Sequence, residues 1–85
     1  MAREFTFEDQ KNILVNRIGV PEESVVNDPS LTFEDLGLDS LAFVEIQLAI
    51  QQDYGFTIPD EDASQITTIG DGIEYVNRRL QEMEA

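Results

Sequence analysis

Residues 39–55 read DSLAFVEIQLAIQQDYG and contain the most informative pattern in this 85-residue chain. Asp39 is a favoured N-cap residue and Gly55 a favoured C-terminal stop. No proline interrupts the residues between them. The pattern therefore predicts one helix from Ser40 to Tyr54.

Two apolar stripes run along this predicted helix. At about 100° per residue, the side chains that we call the inner stripe are Phe43, Ile46 and Ile50. The outer stripe consists of Leu41, Val44 and Leu48. A helix with two apolar sides is either buried on both or keeps one side for a partner. In so small a domain we expect the inner stripe to line the core and the outer stripe to stay available.

Downstream of residue 55, the sequence predicts two further helices. DEDASQI, residues 60–66, is typical of a short helix. Thr68 and Asp71 form a capping pattern that begins a last helix over roughly 68–82. Gly72 is a local weakness in that helix. Its apolar residues recur at helical spacings, namely Ile69, Ile73, Val76, Leu80 and Met83.

Upstream, Thr6 and Asp9 resemble a capping box that opens a first helix over roughly 6–18. Its stripe contains Phe7, Leu14 and Ile18, with Val15 at the edge. Gly19 and Pro21 end the helix. The connection over residues 19–38 is long for a small domain, and a loop of this length is unusual unless its side chains pack against the helices. Packing is expected from its apolar side chains, Val25, Val26, Leu31, Phe33, Leu36 and Leu38.

The predicted fold is therefore all-α, a small four-helix bundle of three main helices and one short helix, with a long loop between helices one and two. Residues 1–85 form a single domain at this length, with frayed termini at 1–5 and 83–85. The predicted core joins the inner stripe to residues of the first and last helices, namely Phe7, Leu14, Ile73 and Val76.

The charge of the chain is strongly negative and unevenly placed. The formal net charge is −13, and the 60 residues from 18 to 77 contain no lysine or arginine. Such a field does not attract nucleic acid or an anionic membrane, and it favours a monomer. It is either a solvated surface or a docking surface for basic partners.

The missing residue types exclude most chemistry. Without His or Cys there is no Ser-His pair, disulfide, thiol nucleophile or His/Cys metal site. Calcium loops starting at Asp28 or Asp60 fail, because Phe33 or Gln65 stands where glycine is required. We expect neither an enzyme nor a metal site. No apolar run of about 20 residues is present, and the N-terminus lacks a signal pattern, so a cytoplasmic protein without a membrane span is expected.

Ser40 is the one nucleophilic side chain in an unusual place, at the start of the doubly apolar helix. Taken alone, an Asp-Ser-Leu tripeptide is a weak signal. A serine at this position is most simply explained as a helix cap.

The surrounding run, residues 35–76, resembles the acyl carrier protein family. The resemblance rests on Asp39-Ser40-Leu41, on Glu45 five residues after the serine, on Ile58-Pro59-Asp60-Glu61, and on Ile66-Thr67-Thr68. More weakly, it extends over the first helix and Ile18-Gly19-Val20.

This resemblance implies a non-catalytic carrier. Ser40, flanked by Asp39 and Leu41, would bear a covalent 4′-phosphopantetheine arm whose thiol holds acyl groups as thioesters. The implied partners are a phosphopantetheinyl transferase, a ketosynthase, an acyltransferase and other synthase enzymes with basic surfaces. The implied partner face is Leu41, Val44, Glu45 and Leu48. The residues that would touch cargo are Phe43, Ile46, Ile50, Ile73 and Val76, although each also has a role in packing.

The pathway is less constrained. The D-S-L-A start resembles discrete polyketide carriers, and Ala42, Gln51 and Gln52 stand where fatty-acid carriers are usually acidic. The segments at 58–61 and 66–68 are shared with fatty-acid carriers, which keeps that alternative open. A peptidyl carrier is less favoured, because Leu-Gly-Leu-Asp precedes Ser40, and a D-alanyl carrier stays open. An acidic helical adaptor without a prosthetic group is the alternative from another class.

Overall fold

The computed structural model describes residues 4–84, and their regular structure is helical, as predicted. Within this range, extended backbone pairs at one isolated antiparallel bridge, between Thr32 and Thr68. None of the helices in the described part of the chain is long and apolar enough to cross a membrane. The elements are α1 (Phe7–Asn12) with its π-helical continuation (Ile13–Ile18), a 3₁₀ turn (Glu22–Ser24), α2 (Ser40–Tyr54), α3 (Asp60–Ala63) and α4 (Ile69–Glu84).

Both predicted capping boxes are confirmed. At α1, the Thr6 hydroxyl accepts a hydrogen bond from Asp9 N at 3.2 Å, and the Asp9 carboxylate accepts one from Thr6 N at 3.0 Å. At α4, Thr68 and Asp71 make the same reciprocal pair at 3.0 and 3.3 Å. These contacts satisfy N–H groups that the first turn of a helix leaves unpaired.

The first helix differs from the prediction in its second half, which is π-helical and not α-helical. The N–H groups of Gly19 and Val20 both donate to Leu14 O, at 3.0 and 2.9 Å. In this wider π-helical turn, two adjacent side chains, Ile13 and Leu14, both point into the core. Phe7, which the sequence placed on the same stripe, is only half-buried.

The core contains most of the predicted residues. Ile46 and Ile50 of the inner stripe are buried, and Phe43 packs against the core half-buried. In α4, Val76 is buried and Ile73 is half-buried. Other buried members outside the predicted stripes are Phe5, Ile13, Val20, Ala49, Phe56, Ile58 and Tyr75.

The N-terminal segment is held in place from residue 5, the last residue of the range 1–5 for which fraying was predicted. Phe5 is 1% exposed and meets the Tyr54 ring edge-on, with centroids 5.4 Å apart. The Asn77 side chain bonds both Phe5 N and Phe5 O, at 2.7 and 2.9 Å. At the other end α4 continues through Glu84. Residues 1–3 and 85 lie outside the described part of the chain.

The long connection is docked on the start of α4, as its apolar content predicts. Ile69 N donates to Leu31 O at 2.8 Å, and Gly70 N donates to Pro29 O at 3.0 Å. Phe33 is buried, whereas Val26 is half-exposed and takes no part in the packing. The segment that precedes α2 is therefore fixed to α4.

The short helix α3 ends at Ala63, three residues before the predicted end, because a turn at Ser64 and Gln65 follows it. The Tyr75 hydroxyl ties α3 to α4 by donating to the Asp62 carboxylate at 2.7 Å and accepting from Arg79 at 2.7 Å. Burial, reinforced by the bond to Asp62, raises the pKa of Tyr75. Tyr75 therefore holds α3 as a neutral donor.

Candidate functional site

Ser40 is the first residue of α2, and its side chain is exposed. Asp39 is the N-cap: its backbone is extended, and its carboxylate accepts a hydrogen bond from Ala42 N at 2.9 Å. Among residues 4–84, the Ser40 hydroxyl has no hydrogen-bond partner. Because Asp39 performs the capping, the cap explanation for Ser40 fails, and its hydroxyl is accessible for chemistry.

A tight turn aims the chain into α2 just before this serine. Gly37 N donates to Glu34 O at 2.9 Å, and Leu38 N donates to Phe33 O at 3.2 Å. Gly37 has a φ of +78°, which glycine adopts at little cost and other residues rarely adopt. The turn places the Asp39–Ser40 segment at the molecular surface.

An open groove of about 280 Å³ lies beside Ser40. Its rim is polar, and side chains of the connection, of α2 and of the segment around α3 form its apolar walls. The Phe33 and Phe43 rings meet edge-on in this wall, with centroids 5.6 Å apart. Ala63 and Ile66 line the opposite side.

Behind the groove lies a small internal cavity of about 20 Å³. Four of the predicted cargo residues line it, namely Phe43, Ile46, Ile50 and Val76, whereas Ile73 does not. A space of this size holds about one water molecule and no acyl chain. Phe33, Phe43 and Ile66 line both the groove and the cavity, so cargo that passes from one into the other must move these side chains apart.

The outer stripe is exposed along α2, on the helix that begins with Ser40. Leu41 is 68% exposed, and Val44 and Leu48 are about half-exposed. Glu45 is exposed as well. A contiguous apolar strip on a surface is typical of an interaction site, whereas single apolar residues are common anywhere.

The start of α2 is also a place of uncompensated negative charge. The ion pairs of the described chain join Lys11 to Glu22, Arg17 to Asp53 and Arg79 to Glu82. None of them involves Asp39 or Glu45, and neither of these acids has another ion-pair partner within residues 4–84. A basic surface brought to this end of α2 would therefore meet unpaired carboxylates.

Gln10 lines the internal cavity, and the sequence analysis gave it no role. It is 5% exposed and is a polar residue on a helix that otherwise buries apolar side chains. The available signal was its position, three residues before Ile13 and four before Leu14, on the buried side of the helix.

Comparisons with known proteins agree with this geometry. A family model described as "Phosphopantetheine attachment site" matches residues 11–76. The holo acyl carrier protein of actinorhodin synthesis from Streptomyces coelicolor is 32% identical, with 96% of this chain and 98% of that chain covered and a TM-score of 0.78. The butyryl and 3,5-dioxohexyl forms from the actinorhodin polyketide synthase of that organism give 32% and 33% identity over the same shares, with TM-scores of 0.80 and 0.81.

The chain belongs to the acyl carrier protein family. Its structural type is that of discrete polyketide synthase carriers, and its prosthetic group is 4′-phosphopantetheine. Carriers of this kind interact with synthase enzymes and are generally not catalysts themselves. The structure fits such a group, because it offers an exposed, unbonded hydroxyl at a helix start beside an open groove.

Proposed function

We propose that this acyl carrier protein bears its arm on Ser40 and carries the intermediates of a type II polyketide synthesis in the cytoplasm. The observation that supports the attachment point is the free Ser40 hydroxyl, which Asp39 relieves of the capping role. When bound, the arm supplies the thiol that holds acyl groups as thioesters. The similarity to polyketide carriers supports the pathway over fatty-acid synthesis.

The chain itself positions the arm and does no chemistry. No base is hydrogen-bonded to the Ser40 hydroxyl within residues 4–84, and the protein has no histidine. The modifying transferase must therefore remove the hydroxyl proton. The first turn of α2 favours a phosphodiester anion through its N–H groups and partial positive charge, while the Asp39 carboxylate opposes it.

The partner face that we propose comprises Leu41, Val44, Glu45 and Leu48, together with Asp39. Its acids attract basic rims of the transferase, the ketosynthase and the acyltransferase, and its apolar side chains fix the register of the docked complex. The chain acts as a monomer in these encounters, since a net charge of −13 opposes self-association.

The cargo site that we propose is the groove beside Ser40 and the cavity behind it. Phe43, Ile46, Ile50 and Val76 contact an acyl chain that enters, and Ile73 supports them from α4. Because the cavity is too small at rest for an acyl chain, cargo that enters from the groove is enclosed after the Phe33–Phe43 pair and Ile66 separate.

Attachment at Ser40 is tested by intact-mass measurement after incubation with coenzyme A and several phosphopantetheinyl transferases. The wild type should gain one arm and Ser40→Ala none, with an unchanged circular dichroism spectrum, since the Ser40 side chain makes no structural bond. Ser24→Ala, another exposed serine, is the matched control and should be modified fully. Modification of Ser40→Ala would refute the attachment point. A wild type that stays unmodified would favour the adaptor hypothesis.

The partner face is tested by reversing one charge. We expect Glu45→Lys to lower kcat/KM for arm addition or for ketosynthase loading by roughly two- to fivefold, because one exposed ion pair contributes at most about 1 kcal/mol. Glu23→Lys makes the same charge change in the 3₁₀ turn, outside α2, and should have a smaller effect. Equal losses in the two variants would indicate a diffuse field and no defined face.

A further inference from the structure

Apart from Tyr75 with its hydroxyl, Gln10 has the one buried polar side chain in the described part of the chain, and it is 5% exposed. Its Nε2 donates a hydrogen bond to Ile69 O at 3.2 Å, across the bundle from α1 to the start of α4. A glutamine amide offers two N–H donors and an acceptor oxygen. Within residues 4–84, only this one bond uses that capacity, so a second N–H and Oε1 are available.

The space for this amide is provided by a glycine in α4, which lowers the intrinsic stability of that helix. Gly72 lies within that helix, where glycine is less favourable than alanine. A Cβ at position 72 would lie 2.9 Å from Gln10 Oε1 and 3.4 Å from the Phe33 ring. Any larger residue would have to displace the amide or the ring. Burying the Gln10 amide and placing a glycine inside a helix are each unfavourable for stability, and the two residues are in contact.

The amide lies in the wall of the internal cavity, next to the proposed cargo route. Gln10 and Gly72 line this cavity together with Phe33, Phe43 and Ile66. The last three residues also line the groove that begins at Ser40. An acyl chain that parts these three side chains therefore meets the Gln10 amide on the far side.

We propose that Gln10 selects the class of cargo that this carrier encloses, favouring acyl chains that bear keto or hydroxyl oxygens over plain alkyl chains of the same length. The inference rests on the proposed function, since it requires an acylated arm at Ser40. A keto or hydroxyl oxygen on the chain can accept a hydrogen bond from the second amide N–H, and a hydroxyl can also donate one to Oε1. A plain alkyl chain would bury that amide without a partner, which is unfavourable.

The first test is made on the loaded wild-type protein. The arm is charged with a hexyl or a 3,5-dioxohexyl group, and the Gln10 side-chain amide signals are followed by ¹⁵N-resolved NMR. We expect these signals to move with the dioxohexyl group relative to the unloaded holo form, and to move much less with the hexyl group. Identical Gln10 amide signals in the two loaded forms would overturn the proposal.

The second test compares the stability of the loaded forms. In the wild type, the dioxohexyl form should have the higher Tm. In Gln10→Leu the order should reverse, because hydrophobic burial then favours the alkyl chain. Gln51→Leu removes an exposed amide from α2 and should keep the wild-type order. An unchanged order in Gln10→Leu would overturn the proposal, and the NMR test stands if that variant does not fold.

Failure of the proposed function is recognised separately. Intact mass shows, before any comparison of cargo, whether the arm and its group are attached to Ser40. Absence of the arm there refutes the proposed function, whereas a loaded protein whose Gln10 responds equally to both groups refutes only the inference about cargo.

Discussion

Asp39 and Ser40 divide two tasks between them, and the sequence predicted Asp39 as the N-cap while keeping a capping role open for Ser40 as well. Both residue types cap helices well, so either could have been the N-cap. The 2.9 Å bond from Ala42 N to the Asp39 carboxylate assigns that role and leaves the serine hydroxyl free. The sequence predicted a hydroxyl near the surface at the start of this helix, and the structure adds that it has no hydrogen-bond partner within residues 4–84.

Asp71 gives a prediction about pH. The backbone N–H of Thr67, and also that of Thr68, donates to the Asp71 carboxylate and lowers the pKa of that group. The folded state therefore binds this proton at lower pH than the unfolded chain, whose aspartates titrate near pH 3.9, so the contribution to stability is present above that pH and is lost as the pH falls through the folded pKa. We expect Asp71→Asn to be less stable than the wild type at pH 6, with a difference that shrinks below about pH 4.

Urea unfolding at several pH values measures this difference, and comparison of the two proteins cancels the general effect of neutralising other acids. Asp60→Asn, an exposed acid on α3 with no resolved side-chain bond, is the control. A difference between wild type and Asp71→Asn that does not change with pH would contradict the assignment.

Gln10 and Gly72 show where reasoning from single residues stops. The sequence marked Gly72 only as a weak point of its helix, and it gave Gln10 no role. The contact between them spans 62 positions in sequence and depends on how α1 and α4 cross. No local rule of capping or periodicity contains that information.

The connection before α2 and the start of α4 form one structural unit. Three backbone hydrogen bonds join them, between 2.8 and 3.1 Å, at Pro29–Gly70, Leu31–Ile69 and Phe33–Thr67. The apolar pattern predicted that the connection is held, but it could not name the partner. The bonds explain why a long segment with little regular structure is compatible with a small domain.

Gly70→Ala tests this docking. A Cβ at position 70 would lie 2.9 Å from both the Cβ and the carbonyl oxygen of Pro29, and neither can turn aside. We expect a loss of about 1–3 kcal/mol of stability, although alanine is the better helix former. Urea unfolding measures the change, and Glu74→Ala, at an exposed α4 position, should change stability by less than about 0.5 kcal/mol. A gain in stability of Gly70→Ala would show that Pro29 can shift away from the new Cβ at little cost, which would contradict the prediction.

The π-helical end of α1 could not be predicted from the pattern. An α-helix and a π-helix bury overlapping sets of apolar residues over two turns, so Leu14 and Ile18 fit either form. The difference is made by packing, since α2 lies against this segment, in which Ile13 and Leu14 are both buried. Local sequence predicted the helix and its capped ends, and tertiary contacts determined its winding.

The whole molecule carries a net charge of −13, and the fold must tolerate the resulting repulsion. Most of that charge lies on exposed carboxylates, which salt screens within a Debye length of about 8–10 Å. We therefore expect the Tm to rise from low ionic strength to about 0.5 M NaCl, because screening weakens a repulsion that is stronger in the compact state.

Thermal unfolding followed by circular dichroism over a salt series measures this effect. Sucrose at matched osmolarity controls for changes in solvent that do not screen charge. A Tm that is independent of salt would show that local contacts already offset the repulsion among the acids.

The docked connection has a mechanical consequence for the carrier. With the arm on Ser40, as proposed, its root is held from one side by the capped start of α2 and from the other by the bonds between the connection and α4. The polypeptide then acts as a rigid pivot, and the travel of the thioester is set by the length of the pantetheine chain alone. Enzymes that share this carrier must accordingly place their catalytic pockets at one common distance from the surface on which the carrier docks.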